Sequence, residues 1–244
     1  MLLLVGVFGV GLIAGFLNVM AGGGSLITLP ILIFLGLPAA VANGTNRVAI
    51  LAQNAAAFTS FRQQGYTDWR SGVLFALTTV PGAVLGAFVA VRVSEGLFRS
   101  ILAVVLVLSV VGLLVPSRRN DESGVGPSSS RVLAFLAFFL IGFYGGFIQA
   151  SVGFLIMVVL HRLLGFDLVR TNMHKVLIIL VFSVPALLVF LVTGKVVWTI
   201  ALALAFGNSL GGIAATHVSV KGGERPIRVV LGFALILMAV RLVW

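Results

Sequence analysis

Cysteine is absent from the 244-residue chain, and charge is scarce, since Asp, Glu, Lys and Arg together make up only 9% of it. The missing cysteine excludes disulfide bonds, thiolate metal ligands and a cysteine nucleophile. A soluble domain would carry roughly 25% charged residues, whereas 60% of this chain is hydrophobic. Apolar runs long enough to cross a bilayer recur along it. The sequence therefore predicts an all-α polytopic membrane protein with the lipid bilayer as its partner.

Acidic residues are few, and none of them interrupts an apolar segment. All six lie in loops or at segment ends: Asp68, Glu95, Asp121, Glu122, Asp167 and Glu224. Proton- and cation-coupled carriers usually place a carboxylate within the membrane, and an intramembrane enzyme needs an acid–base or nucleophile set. We therefore expect neither a cation substrate nor an enzyme, and we expect no cofactor and no metal site.

Basic residues dominate the charge, which is +10 from sixteen Lys and Arg. They stand singly or in pairs at segment ends, where membrane proteins carry the signal that sets their orientation. No basic arm or stripe of the kind that binds RNA or DNA is present in the sequence. No nucleic-acid partner is expected.

Apolar runs and helix breakers divide the chain into two sets of five segments that share the pattern long, short, long, long, long. The predicted segments are 2–20, 25–36, 46–61, 71–91 and 97–115, then 132–149, 154–164, 174–193, 196–216 and 226–244. A polar stretch, residues 116–131, separates a first repeat, 1–115, from a second, 132–244. Gly36 and Asn43 recur as Gly165 and Asn172, both at an offset of 129 residues, which indicates a duplication.

The basic residues also bear on how the two repeats are related. If each short segment returns the chain, by spanning the membrane or as a re-entrant helix, the repeats are inverted. Lys and Arg then divide eleven against five between the two sides, whereas parallel repeats would divide them nine against seven. Because Lys and Arg accumulate in the cytoplasm, we expect inverted repeats in the plasma membrane, with the N-terminus outside and residues 116–131 cytoplasmic.

Inverted repeats with broken helices are typical of secondary transporters, whose site lies near the midplane where the breaks face each other. The stretch AGGGS, residues 21–25, precedes a short segment of about 18 Å, little more than half of the hydrocarbon core. The glycines predict an unwound point and then a helix N-terminus, whose N–H groups and dipole favour an anion. Ser25 can cap that helix or donate to the anion. Close helix packing is the alternative role of such glycines, as expected at Gly11-xxx-Gly15 and Gly82-xxx-Gly86.

The cluster NGTN, residues 43–46, is expected to precede the third segment, where Asn43 or Thr45 could cap the helix. Its counterpart in the second repeat is TNMHK, residues 171–175. A cation and a titratable ring on a face without acids suit a small anion, although Lys175 could instead snorkel to the cytoplasmic interface. The candidate anion-binding residues are Gly22, Gly23, Gly24, Ser25, Asn43, Thr45, Asn46, Gln149, Ser151, Gly153, Asn172, His174 and Lys175.

The stretch AGGGSLITLPILIFLGLPAAVANGTN resembles the signature region of the TauE/SafE sulfite-exporter (anion permease) family. GGFIQASVGFLIMVVLHRLLGFDLVRTNMHKVL resembles the repeat of that region, and the similarity covers nearly the whole chain. The resemblance implies a permease for a small sulfur-containing anion such as sulfite, sulfoacetate or another organosulfonate. We expect an exporter that works by alternating access. An anion channel and a non-transporting membrane scaffold remain alternatives, and a homodimer stays open.

Overall fold

The computed structural model describes residues 1–114, 127–223, 225–227 and 229–230. Nine α-helices occupy this part of the chain: α1 Leu2–Ala21, α2 Ser25–Phe34, α3 Ala39–Gln63, α4 Arg70–Arg92, α5 Glu95–Leu114, α6 Pro127–Phe147, α7 Val152–Val158, α8 Leu168–Val192 and α9 Trp198–Gly222. A π-helical turn, Val159–Leu163, continues α7. The predicted linker up to residue 126 and nearly all of the predicted segment 226–244 lie outside the described residues.

The helices are apolar on their outer faces as well as inside. Four of them in the described part are long and apolar enough to cross a membrane: Leu2–Ala21, Gly72–Arg92, Leu168–Val192 and Trp198–Gly222. Large apolar side chains such as Leu85, Leu188 and Phe206 are exposed on the surface. Exposing them to water is unfavourable, whereas exposing them to lipid is not. The all-helical prediction is confirmed in the described residues, and these helices suit a polytopic membrane protein.

The third and eighth helices begin earlier than the sequence predicts. α3 begins at Ala39, directly after Pro38, and α8 begins at Leu168. The clusters 43–46 and 171–175 therefore lie inside helices, and the expectation that Asn43 or Thr45 caps α3 is wrong. The caps are acidic residues instead. Both carboxylate oxygens of Glu95 accept from the backbone N–H of Ala39, at 2.8 and 2.9 Å, and Asp167 accepts from the second and third N–H groups of α8.

Small residues bring two pairs of helices into close contact. Gly11 and Gly15 of α1 lie against Asn208 of α9, and Gly82 and Gly86 of α4 lie against Phe143 of α6. Each partner helix returns the same motif, with Gly207 and Gly211 on α9 and Gly142 and Gly146 on α6. Backbones that touch in this way are the usual product of Gly-xxx-Gly spacing in membranes. The packing role expected of the two predicted motifs is confirmed.

The order of contacts shows how the helices run. Gly207 meets Phe8 and Leu12, and Gly211 meets Leu12 and Phe16, so α1 and α9 run in the same direction. Gly82 and Gly86 likewise meet successively later residues of α6. In contrast, Arg47 near the start of α3 meets Phe190 near the end of α8, while Phe61 near the end of α3 clusters with Met173 near the start of α8. α3 and α8 therefore run in opposite directions.

Candidate functional site

The two breaks in the helices touch each other. Gly22 ends α1 in the left-handed conformation, with φ +76°, and a Cβ there would overlap the backbone of Gly153 and Phe154. A Cβ on Gly153 would in turn lie 2.7 Å from Gly22 Cα and 3.3 Å from Lys175 Cδ. The opposing break carries two residues other than glycine with positive φ, Gln149 at 66° and Ser151 at 57°. The sequence-predicted break between α1 and α2 is thus present, and it meets the start of α7.

Lys175 lies beside this contact and is fully buried. Its Nζ donates to the carbonyl oxygen of Val19 at 2.6 Å, to that of Asn18 at 3.2 Å and to Asn172 Oδ1 at 2.8 Å. The first two carbonyls belong to the last turn of α1, where the helix dipole favours a cation. Lys175 therefore does not snorkel to the interface. It joins α8 to the end of α1.

Several polar atoms around this contact have no hydrogen-bond partner within the described part of the chain. They include Asn172 Nδ2 and Ser151 Oγ, both on buried residues. Unsatisfied buried donors are rare in folded proteins because each costs about 1–3 kcal/mol. Asn172 and Ser151 therefore offer a donor and a hydroxyl that a polar ligand could satisfy.

The start of α2 forms the neighbouring wall. Gly24 packs so closely on α1 that a Cβ would overlap Ala14 and lie 2.6 Å from Asn18 Cβ. Asn46 then ties this helix start to α3, since its Oδ1 accepts from Thr28 Oγ1 at 2.7 Å and its Nδ2 donates to Ser25 Oγ at 3.4 Å. Gly23 is half-buried between them. These bonds place Ser25 and Asn46 at the N-terminal end of α2.

Two further predicted residues lie around the break after α6. Asn43 Nδ2 donates to the carbonyl oxygen of Phe147 at 2.7 Å, and Gln149 Nε2 donates to Ser183 Oγ at 3.1 Å. In each amide the oxygen, Asn43 Oδ1 or Gln149 Oε1, has no partner among the described residues. Asn43 and Gln149 therefore belong to the second break rather than to the surroundings of Lys175.

The remaining two predicted residues point elsewhere. Thr45 Oγ1 accepts from the backbone N–H of Val197 at 3.0 Å, which fixes the loop before α9. The His174 ring packs on Phe166, with ring centroids 4.7 Å apart, and a Cβ on Gly72 of α4 would lie 2.5 Å from its Nδ1. Neither contact involves Lys175 or Ser25.

Arg47 is the functional candidate that the sequence analysis misses. A helix start predicted at residue 46 places this arginine at an interface, yet it lies in the third turn of α3 and is fully buried. Its Nη2 donates to the carbonyl oxygen of Gly145 at 2.9 Å and to that of Gly146. The signal that reveals it is the dipeptide Pro38-Ala39, since proline favours the start of a helix.

No carboxylate balances these two cations among the residues the structure describes. The ion pairs there are Arg99–Glu95 and Arg170–Asp167, both at exposed positions, and no Asp or Glu is among the buried residues. No cluster of three His, Asp or Glu that could hold a metal is found in the same part of the chain. The described interior is therefore a positively charged environment lined by amides, hydroxyls and backbone.

Comparison with known proteins agrees with these features. The family model described as sulfite exporter TauE/SafE matches residues 7–242. A probable membrane transporter protein of a Sinorhizobium species, ORF9, is 29% identical over 98% of this chain and 92% of its own length. A probable membrane transporter protein of Haemophilus influenzae is 27% identical over 93% of this chain and 90% of its own, and YfcA of Escherichia coli K12, also a probable membrane transporter protein, is 26% identical over 99% and 90%. No solved structure matches. The chain belongs to the TauE/SafE sulfite exporter family of membrane transporters.

Proposed function

We propose that this transporter carries a small sulfur-containing anion, such as sulfite, sulfoacetate or another organosulfonate, out of the cell by alternating access. The observation that carries the proposal is Lys175, a fully buried cation at the contact between the two helix breaks, with no carboxylate beside it in the described residues. A buried charge without a counter-charge is strongly unfavourable. A bound anion supplies the missing charge. The family description supports the choice of sulfur.

The proposed site binds the anion through a positive charge, through free hydrogen-bonding groups and through glycines that allow close approach of the backbone. The Lys175 ammonium already donates three bonds to neutral oxygens, so it attracts the anion by its charge. Asn172 Nδ2 and Ser151 Oγ are free to bond to the oxygens of the anion. The N-terminal end of α2, with Ser25 and Asn46, adds a favourable dipole. Gly22, Gly24 and Gly153 let backbone approach where a side chain would block it, and Gly23 lies between the first two in the chain.

Two inverted repeats, residues 1–115 and 132–244, account for the packing of the helices. α1 packs on α9 and α6 packs on α4, while α3 packs on α9 and α8 packs on α4. Exchanging each helix for its counterpart reproduces the same set of contacts. The opposite directions of α3 and α8 favour inversion over parallel duplication. In such folds, rocking of one bundle against the other alternates access to a central site.

The electrical driving force favours export. Moving one charge across 100 mV is worth about 2.3 kcal/mol, so a dianion gains about 4.6 kcal/mol on leaving a negative interior. At roughly 1.4 kcal/mol per decade this supports a gradient of about 2,000-fold. Export therefore needs no coupled ion. Arg47 and Lys175 are buried and no longer count as loop charges, yet ten basic residues still face four, which supports a cytoplasmic location for residues 116–131.

A ligand-stabilisation screen followed by flux measurement tests the function. Purified protein would be heated with sulfite, sulfate, thiosulfate, sulfoacetate, taurine or a simple carboxylate, and the stabilising anion would then be loaded into proteoliposomes. We expect a sulfur-containing anion to raise the melting temperature and to show saturable flux. Single-channel currents would point to a channel instead. The absence of both stabilisation and flux would leave a non-transporting scaffold.

A further inference from the structure

We infer that Arg47 forms a second anion-binding position, separate from the one at Lys175, and that it contacts the anion directly. This inference rests on the proposed function, because it gives the same transported anion a second place to bind. Arg47 belongs to neither the predicted site nor the repeat-matched positions. It falls one residue after Asn46, which is the counterpart of Lys175 at the offset of 129 residues.

Lys175 and Arg47 differ in how many of their N–H donors lack a hydrogen-bond partner. The three N–H bonds of Lys175 are taken up by Val19, Asn18 and Asn172. Arg47 uses only Nη2, on the carbonyl oxygens of Gly145 and Gly146, while Nε and Nη1 have no partner in the described part of the chain. Nε carries one hydrogen and Nη1 carries two. Arg47 therefore has three buried donors available.

The described groups around the guanidinium do not use those donors. One face of the group lies over the Phe190 ring, 4.6 Å from its centroid, a contact that does not use the in-plane N–H bonds. Asn43, one turn earlier on α3, holds the same end of α6 through Phe147. Its Nδ2 is therefore occupied, and its free atom is an oxygen that would not bind an anion. The anion at this position would bond to arginine alone among these groups.

The two cations lie at different depths along the transport path. Lys175 and Phe190 both belong to α8, and the residues between them span about 22 Å of helix at 1.5 Å per residue. The Arg47 guanidinium is at the Phe190 end. Each cation also holds the last turn of the first helix of the opposite repeat, since Lys175 binds α1 and Arg47 binds α6. An anion that leaves one position can thus reach a second before it leaves the protein.

The planar group, and not charge alone, is what the second position requires. A lysine at residue 47 would have three donors, and the two α6 carbonyls would use two of them. Arg47→Lys therefore keeps the cation and its hold on α6 but removes most of the free donors. This variant separates anion binding from a purely structural role.

Equilibrium dialysis of radiolabelled sulfite against the full chain in lipid nanodiscs tests the inference. We expect two sulfite ions per wild-type chain, one per chain for Arg47→Lys, and two for Lys221→Met, which removes an exposed lysine at the end of α9. A capacity of one in the wild type that Arg47→Lys leaves unchanged would overturn the second position and spare the proposed function. No sulfite bound to the wild type would overturn both the second position and the choice of sulfite as the transported anion. A wild-type capacity of one would overturn the second position even if Arg47→Lys fails to fold.

Discussion

The Lys175 ammonium nitrogen lies 2.6 Å from the carbonyl oxygen of Val19, and this bond joins α8 to the last turn of α1. Arg47 Nη2 lies 2.9 Å from the carbonyl oxygen of Gly145 and joins α3 to the last turn of α6. Helix ends leave carbonyl oxygens without partners, and in a membrane no water satisfies them. These two cations therefore allow helices to end inside the protein, and they also bring positive charge to both breaks.

Replacing Lys175 by methionine should destabilise the fold. Gly22 still donates to Asn18 O at 2.8 Å, but Val19 O and Asn172 Oδ1 lose their donor, at about 1–3 kcal/mol for each buried group. Part of this loss is offset because no charge is then buried. We expect the free energy of unfolding of the purified protein to fall by about 2 kcal/mol. Lys221→Met should change it by less than about 0.5 kcal/mol. A Lys175→Met protein more stable than the wild type would contradict a stabilising role for the bonds between Lys175 and the end of α1.

The contact between the two breaks should tolerate no added carbon. Gly22→Ala places a Cβ against the backbone of Gly153 and Phe154 and holds alanine at φ +76°, where the backbone alone costs about 1–2 kcal/mol. We expect a loss above about 3 kcal/mol or a failure to fold. Gly9→Ala is the matched control in α1, because a Cβ there meets nothing within 4 Å. It should raise stability by up to about 1 kcal/mol. Thermal unfolding in detergent compares the two, and equal effects would refute the close contact.

Asn46→Asp should hinder an anion while it keeps the hydrogen bonds of residue 46, and its buried charge should lower stability. The carboxylate still accepts from Thr28, and the Ser25 hydroxyl can turn to donate to it. The new negative charge at the start of α2 repels the substrate, and we expect flux per folded protein to fall at least about 10-fold, or roughly 1.4 kcal/mol. Asn46→Ala removes both bonds without adding charge, so it should lose stability and keep more flux than Asn46→Asp. Wild-type flux in Asn46→Asp would show that no anion passes near this residue.

The acidic caps should matter for stability and not for transport. Glu95→Gln weakens the two bonds to the N–H of Ala39, and Asp167→Asn weakens the cap of α8. Loss of such a cap costs about 0.5–2 kcal/mol. The surface pair of Glu95 with Arg99 adds little. Flux per folded protein should equal that of the wild type in both variants, as measured in proteoliposomes. A selective loss of flux would assign these carboxylates a role in transport.

The sequence predicts correctly the helices whose starts are marked by glycines or charges. It misplaces the starts of helices that lack such a signal. The expected segments 2–20, 25–36 and 71–91 agree closely with α1, α2 and α4, because glycines or charges mark their ends. Asn43 and Gly44 appear to be breakers, yet tertiary contacts override their low helix propensity. A Cβ on Gly44 would overlap Lys195 O, and Asn43 binds Phe147.

The same misplacement hides part of the site. With α3 predicted to begin at residue 46, Arg47 is counted as a topology charge, although the structure buries it against α6. Contacts between residues far apart in the sequence, such as those of Lys175 with α1 and of Thr45 with Val197, depend on how the helices cross. One sequence carries no record of these crossings, whereas the helix break at Gly22 follows from local backbone preference. The opposing break falls at Gln149 and Ser151, whose positive φ is a conformation that such residues rarely adopt.

Voltage-driven efflux of radiolabelled sulfite from proteoliposomes tests the central claim most directly. The liposomes would hold sulfite and protein, and a potassium gradient with valinomycin would set the interior negative. The account predicts saturable efflux that accelerates as the interior becomes more negative, and that falls at least about 10-fold in Lys175→Met when normalised to folded protein. Efflux that is absent, or that ignores both the potential and Lys175→Met, would contradict it.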